Sequence, residues 1–136
     1  SEPKCLSRPL YGFENTEHTI NNEGPYAFYY HNKIYLAYSG GDARGYLYAI
    51  GMLTANDGDD LCDLSVWEKA KTPIASFATI PGEYGPGHNS FFWDRDQNLW
   101  IAYHAVTSFE EKIVSSGMRR VYFEQDKTPR VDVIVE

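Results

Sequence analysis

The chain has 136 residues, 43% hydrophobic and 15% aromatic, with 12 basic against 19 acidic side chains and a net charge of −7. That length sets one compact domain. The acidic balance, with no cluster of Lys and Arg to neutralise phosphates, excludes a nucleic-acid partner and disfavours an anionic membrane, and no apolar run approaches the roughly 20 residues that span a bilayer.

No signal peptide is visible at Ser1, and the compartment stays open. After a lead-in, Asn22-Glu23-Gly24-Pro25-Tyr26 forms a turn before an aromatic strand, Tyr26 to His31. His31-Asn32 turns the chain into Lys33 to Ser39, and Ser39-Gly40-Gly41-Asp42 leads towards a third strand, Tyr46 to Thr54. Asn56-Asp57-Gly58-Asp59-Asp60 lacks the ligand ladder and distant Glu of a calcium loop, so it reads as a solvated outer loop. Leu64 to Ala70, around Trp67, is the one expected helical turn. A second Gly-Pro turn, Tyr84-Gly85-Pro86-Gly87-His88-Asn89-Ser90, precedes strands Ser90 to Asp94 and Leu99 to His104, joined by a turn over Asp94 to Asn98. Arg119 to Glu124 and Arg130 to Val135 follow, separated by Asp126 to Pro129. The two cysteines, Cys5 and Cys62, allow one pairing and form no Cys-x-x-Cys. Cys62, between Leu61 and Asp63, reads as a small buried hydrophobe rather than a disulfide partner.

Glu23 and His88 are 65 residues apart, and so are Ile34 and Leu99, the starts of the two hairpin returns. One antiparallel unit therefore occurs twice. A repeat of this length fits the four-stranded blade of a β-propeller, with a sandwich or barrel as the competing all-β architecture. The expected division is residues 1–23 as lead-in or end of a preceding blade, 24–83 as one blade, and 84–136 as a second blade with closing strands. Two blades cannot close a ring, which needs four to eight. The chain thus reads as about two blades of a larger propeller, completed by an N-terminal half as a missing segment or second chain.

Asn22-Glu23-Gly24-Pro25, Ile34 to Ser39, Ile50 to Ala55, Asp60-Leu61-Cys62-Asp63 with Trp67, Gly85-Pro86-Gly87-His88-Asn89-Ser90-Phe91, Tyr103-His104-Ala105 and Arg120-Val121 occur in that order. Over residues 20 to 130 this order resembles the C-terminal half of glycoside hydrolase family 43. The resemblance implies a five-bladed propeller that hydrolyses α-L-arabinofuranosides or β-xylosides with inversion, degrades polysaccharide, and works outside the cell or in the periplasm. It implies a general acid at Glu23, with a base Asp and an acid-tuning Asp in earlier blades. His88 resembles a central histidine beside a calcium ion or its water shell. Arg120 matches a late pocket arginine, and Tyr26 and Asn89 fall among the substrate-binding positions.

The residues themselves leave alternatives beside each role. Glu23 is equally a turn glutamate accepting local N–H groups, and Tyr26, Phe28 and Tyr30 are the expected aromatic wall around it. His88 follows Gly87, which permits close backbone approach or a positive φ, yet one imidazole is a poor partner for oxygen-seeking calcium. A one-residue register change exchanges Arg120 for Arg119. The competing class of function is a non-catalytic carbohydrate-binding or assembly module made from a truncated propeller.

Overall fold

A computed structural model describes residues 2–108 and 110–134. Ser1, Val135 and Glu136, the ends of the expected lead-in, strand and second blade, lie outside the described residues. The described residues are all-β, apart from two 3-10 turns.

The lead-in carries a 3-10 turn, Gly12–Glu14, and a small hairpin of β1 (Asn15–Thr16) and β2 (Thr19–Ile20). The first blade is a four-stranded antiparallel sheet in chain order: β3 (Asn22–Tyr30), β4 (Lys33–Gly40), β5 (Ala49–Asn56) and β6 (Glu68–Lys69). The second has three strands: β7 (Tyr84–Trp93), β8 (Leu99–Ser108) and β9 (Ile113–Arg120). A last hairpin joins β10 (Tyr122–Phe123) to β11 (Pro129–Arg130).

The core lies between the two large sheets. Phe28, Tyr35, Ala37, Ile50 and Met52 of the first pack with Phe91, Leu99, Ile101 and Tyr103 of the second. The Phe28 ring sits 4.5 Å from Phe91 and 4.8 Å from Tyr35. Period-two alternation decides the geometry. On β8, Leu99, Ile101 and Tyr103 are buried towards the first sheet, while Trp100, Ala102 and His104 are half-buried on the other face. The 65-residue step carries Tyr35 and Ala37, on the inner face of the first sheet, to Trp100 and Ala102, on the outward face of the second. That is the relation between successive blades of a propeller, and not between two sheets of a sandwich.

A second repeated device confirms the step. Tyr38 pairs with Gly51, and Tyr103 pairs with Gly117, each ring lying across the facing glycine. The Tyr38 hydroxyl donates to Glu14 Oε1 at 2.8 Å, with Lys69 Nζ on the same oxygen at 2.5 Å. The Tyr103 hydroxyl donates to Glu83 Oε2 at 2.5 Å, with Arg119 on both the phenol and the carboxylate. Each blade thus fastens the segment preceding its first strand by a tyrosine, a glutamate and a cation.

Three sequence expectations are corrected. Cys62 is exposed, because it lies in the loop between β5 and β6 where Asp60 Oδ1 accepts its N–H; Cys5 is also exposed, and both are free. The expected helical turn is a 3-10 turn, Leu64–Val66, capped by Asp63 and followed by β6. The strand expected over Arg119 to Glu124 is the end of β9 followed by β10, with Val121 N–H donating to Leu99 O between them.

Candidate active site

Both Gly-Pro turns become β-bulges at the starts of the innermost strands. On β3 the register slips between Glu23, opposite Ser39, and Tyr26, opposite Ala37. On β7 it slips twice, on either side of Gly87, which faces His104. A bulge re-aims side chains that a regular strand would alternate. Gly24 supplies a φ of +55° at the first bulge. At the second, His88 itself takes φ +52°. A non-glycine residue in that region costs of order 1–3 kcal/mol. The His88 N–H is held there by donating to the buried Ser39 Oγ at 2.8 Å. Gly87 serves close approach rather than positive φ: a Cβ there would sit 1.9 Å from the Tyr48 ring.

The two bulges converge. The His88 ring lies over Gly24, whose Cβ position is 3.6 Å from His88 Nδ1, next to Glu23. Glu23 is half-buried, and its Oε1 accepts the Tyr48 hydroxyl at 2.6 Å. Tyr48, fully buried just before β5, stacks on His104 with ring centroids 5.7 Å apart, and His104 stacks on His88 at 6.4 Å. Burial, together with the carboxylate of Glu23, raises the Tyr48 phenol far above its ordinary value, so it keeps its proton and acts as a donor. Burial, then the neighbouring His88, lowers the pKa of His104, against the opposing pull of Ala43 O and Glu23.

The other expected positions lie apart from this cluster. Tyr26 is exposed, with its ring 5.9 Å from Phe91, and lines a groove with Tyr29, Trp93 and Gln97. The expected wall of Tyr26, Phe28 and Tyr30 packs against Phe91, Trp93 and Phe123 instead, and Tyr48 is the aromatic side chain bonded to Glu23. Asn89 is turned inward, 6% exposed, with neither amide atom paired. Arg120 stands opposite Trp100, four residues along β8 from His104, or roughly 13 Å at 3.3 Å per residue. It donates to Asn98 and lies 5.0 Å over the Tyr122 ring. Arg119 faces the other way and reaches Tyr103 and Glu83. The structure therefore joins Glu23 with His88 but does not join Arg120 to them. Among the described residues, no three His, Cys, Asp or Glu gather to hold a metal. These residues do not by themselves make a calcium shell; oxygen ligands would have to come from elsewhere in a propeller.

Tyr48, Ser39 and His104 were not singled out from sequence. The repeat held a signal for two of them: Ser39 and His104 are also 65 residues apart, opposite the two bulges.

A pair of antiparallel blades, each opening on a Gly-Pro bulge that carries an ionisable side chain, defines a propeller with its site at the start of its innermost strands. The sequence profile of glycosyl hydrolases family 43 matches residues 4–129, and the chain belongs to that family. It is 38% identical, over 74% of its length, to an extracellular exo-α-(1→5)-L-arabinofuranosidase of Streptomyces chartreusis, of which it covers 30%. It is 29% identical over 98% of its length to the enzyme of the same name from Streptomyces avermitilis, covering 29% of it. Among solved structures, an α-L-arabinofuranosidase from Lactobacillus brevis superposes with a TM-score of 0.80 at 29% identity, over 92% of this chain and 40% of that one. The chain thus forms about two blades of a five-bladed propeller and spans less than half the length of these relatives. No helix among the described residues is long and apolar enough to cross a membrane.

Proposed function

We propose that this chain supplies the general acid, Glu23, to a secreted glycoside hydrolase that cleaves non-reducing α-L-arabinofuranosides, or β-xylosides, with inversion. The observation that carries this reading is the placement of Glu23: a half-buried carboxyl on an inner-strand bulge, with one oxygen held by Tyr48 and His88 alongside. An inverting hydrolase keeps its acid and base carboxyls about 6.5–9.5 Å apart, leaving room for water. Glu23 protonates the leaving glycosidic oxygen as its bond to the anomeric carbon breaks. A base aspartate from a preceding blade takes a proton from the water that attacks the opposite face, and a second aspartate there keeps the acid protonated. His88 positions groups at the axis. Tyr26 offers an exposed ring in the groove beside Trp93, and Asn89, whose amide is turned inward, is given no sugar contact. Arg120 is given no sugar contact, because it braces the hairpin end of the second blade.

The test is reconstitution. The 136-residue chain alone should turn over neither aryl α-L-arabinofuranosides nor aryl β-xylosides, and activity should appear when the preceding blades are supplied. The first sugar released, followed by proton NMR, should have the inverted anomeric configuration. Turnover by a verified monomer of the chain, or release with retention, would overturn the proposal.

A further inference from the structure

The chain has three tryptophans, and two of them have their indole N–H committed. Trp67 Nε1 donates to Leu61 O at 3.1 Å, and Trp100 Nε1 to Asp94 Oδ2 at 2.8 Å. The third, Trp93, is 41% exposed, and among the described residues nothing accepts its N–H. Its ring is nevertheless held. Tyr30 stacks on Phe123 at 3.8 Å, 12° from parallel, and on Trp93 at 6.1 Å, 21° from parallel. A ring fixed in this way loses little conformational freedom when a ligand lies on it. Trp93 walls a groove of about 510 Å³ with Tyr26, Phe91 and Gln97, and no charged side chain lines that groove. The volume falls within the range of small-ligand sites. Gln97 stands in the turn between β7 and β8 at φ +61°, with its N–H donating to Asp94 O at 3.2 Å. Its exposed side-chain amide is bonded to no described residue. The groove thus offers rings, a free indole N–H and a free amide, and nothing ionic. Trp93 pairs with Leu99 at the far end of β7, five residues from His88, or roughly 17 Å away at 3.3 Å per residue.

We propose that this groove is a second carbohydrate site, which holds a neutral oligosaccharide of pentose units at the hairpin end of the two blades, away from the acid. Sugar is the ligand class that these groups fit. A sugar ring presents C–H bonds on its faces and hydroxyls at its edge, so the faces stack on aromatic rings while the hydroxyls meet N–H and amide groups. An anion finds no cation in the groove, and a cation finds no carboxylate. A wholly apolar ligand would cover the amide and the indole N–H without pairing them, at a cost. The choice of pentose rests on the reading of the chain as part of an arabinofuranosidase or xylosidase; the site itself uses neither Glu23 nor His88. On a polysaccharide, such a site holds a neighbouring stretch of chain while the acid works on the end.

Calorimetry and tryptophan fluorescence of this chain, titrated with α-(1→5)-linked arabinotriose and with xylotriose, test the site. At least one sugar should bind saturably and change the emission. Trp93→Ala should weaken binding about 10- to 30-fold, the usual loss of a central aromatic anchor. Because Trp93 also packs on Tyr30, Gln97→Gly serves as the second variant: it removes the amide, suits the positive φ, and should weaken binding a few-fold, the worth of one neutral hydrogen bond, with the urea midpoint little changed. Glu23→Gln should bind as the parent chain does. No binding of either sugar, binding indifferent to both Trp93→Ala and Gln97→Gly, or binding lost in Glu23→Gln would overturn the inference. So would saturable binding of hexaproline in place of the sugars. In the completed propeller carrying Glu23→Gln, calorimetry should count one fewer sugar per propeller after Trp93→Ala. An unchanged count would mean that the preceding blades close the groove, and would overturn the proposal. None of these results depends on a leaving group, so the site and the acid reading fail separately.

Discussion

Single residues decide whether the two bulges meet. Gly87 is the clearest case, because a methyl group there would sit 1.9 Å from the Tyr48 ring. Gly87→Ala should destabilise the chain by about 1–3 kcal/mol, the usual cost of forcing extra volume into a packed site. Urea unfolding measures it, and an unchanged midpoint would contradict the placement of Tyr48. Glu14 is the counterpart at the back of the first blade. It is fully buried and accepts from Leu10 N–H, Tyr11 N–H, Asn22 Nδ2 and Tyr38 OH, with Lys69 alongside. Burial pushes its pKa up, but Lys69 and the backbone and phenol donors outweigh that and bring it down to about 2. A carboxylate with a depressed folded pKa contributes stability above its unfolded value, and that contribution fades as pH falls through the folded one. The loss should therefore fall between about pH 4.5 and pH 2. Glu14→Ala should destabilise the chain by about 1–3 kcal/mol at neutral pH, since it leaves the buried Tyr38 hydroxyl without its acceptor and the partly buried Lys69 without its carboxylate, and should flatten the pH dependence of unfolding in that window. A variant as acid-sensitive as the parent chain would refute this role.

At the scale of elements, the blade is a strand ladder tied off by side chains at its ends. Asp94 shows how: its carboxylate accepts from Asp96 N–H, Asn98 N–H, Asn98 Nδ2 and Trp100 Nε1, and these donors hold its pKa at about 2. The hairpin between β7 and β8 was legible in sequence because Asp94 to Asn98 is turn chemistry between apolar alternations. The two bulges were legible as Gly-Pro punctuation, and their 65-residue spacing gave the repeat. Most of β9 was not legible. Ser115, Ser116 and Gly117 carry little β propensity, and the strand is held instead by its register against β8. The Glu14–Tyr38–Lys69 and Glu83–Tyr103–Arg119 ties were hidden for a related reason: their members come from distant segments, and their spacings differ between blades. Tyr48 has no turn or motif of its own, and only the fold brings it to Glu23. The row of rings at that site has a pH signature. The His104 pKa is lowered, first by burial, so the unfolded chain binds a proton that the folded chain resists. Stability should fall as pH drops below the unfolded value near 6.5, and His104→Gln should remove part of that slope. Equal slopes in the two proteins between pH 7 and pH 5 would contradict a His104 resisting protonation in the folded chain.

At the scale of the whole molecule, the two blades differ in how they end. The first carries its own cover, because the lead-in crosses its outer face through Leu6, Ser7 and Glu14 onto Leu36, Tyr38 and Leu53. The second leaves Phe92, Val114 and Met118 exposed, 42%, 62% and 65% respectively, beside a half-buried Trp100. A monomeric protein rarely leaves such a face open. The isolated chain should bind an apolar dye, and dye binding should fall when the preceding blades dock; dye binding that is unchanged by them would separate this face from the propeller interface. The central claim is that Glu23 is the acid of the completed enzyme, and leaving-group dependence tests it most directly. Glu23→Gln keeps the size of the side chain and removes the transferable proton. The account predicts a fall in kcat of roughly 10²–10⁴-fold on arabinosides with poor leaving groups and a much smaller fall on nitrophenyl arabinosides. Equal losses on both, or no loss on either, would contradict it.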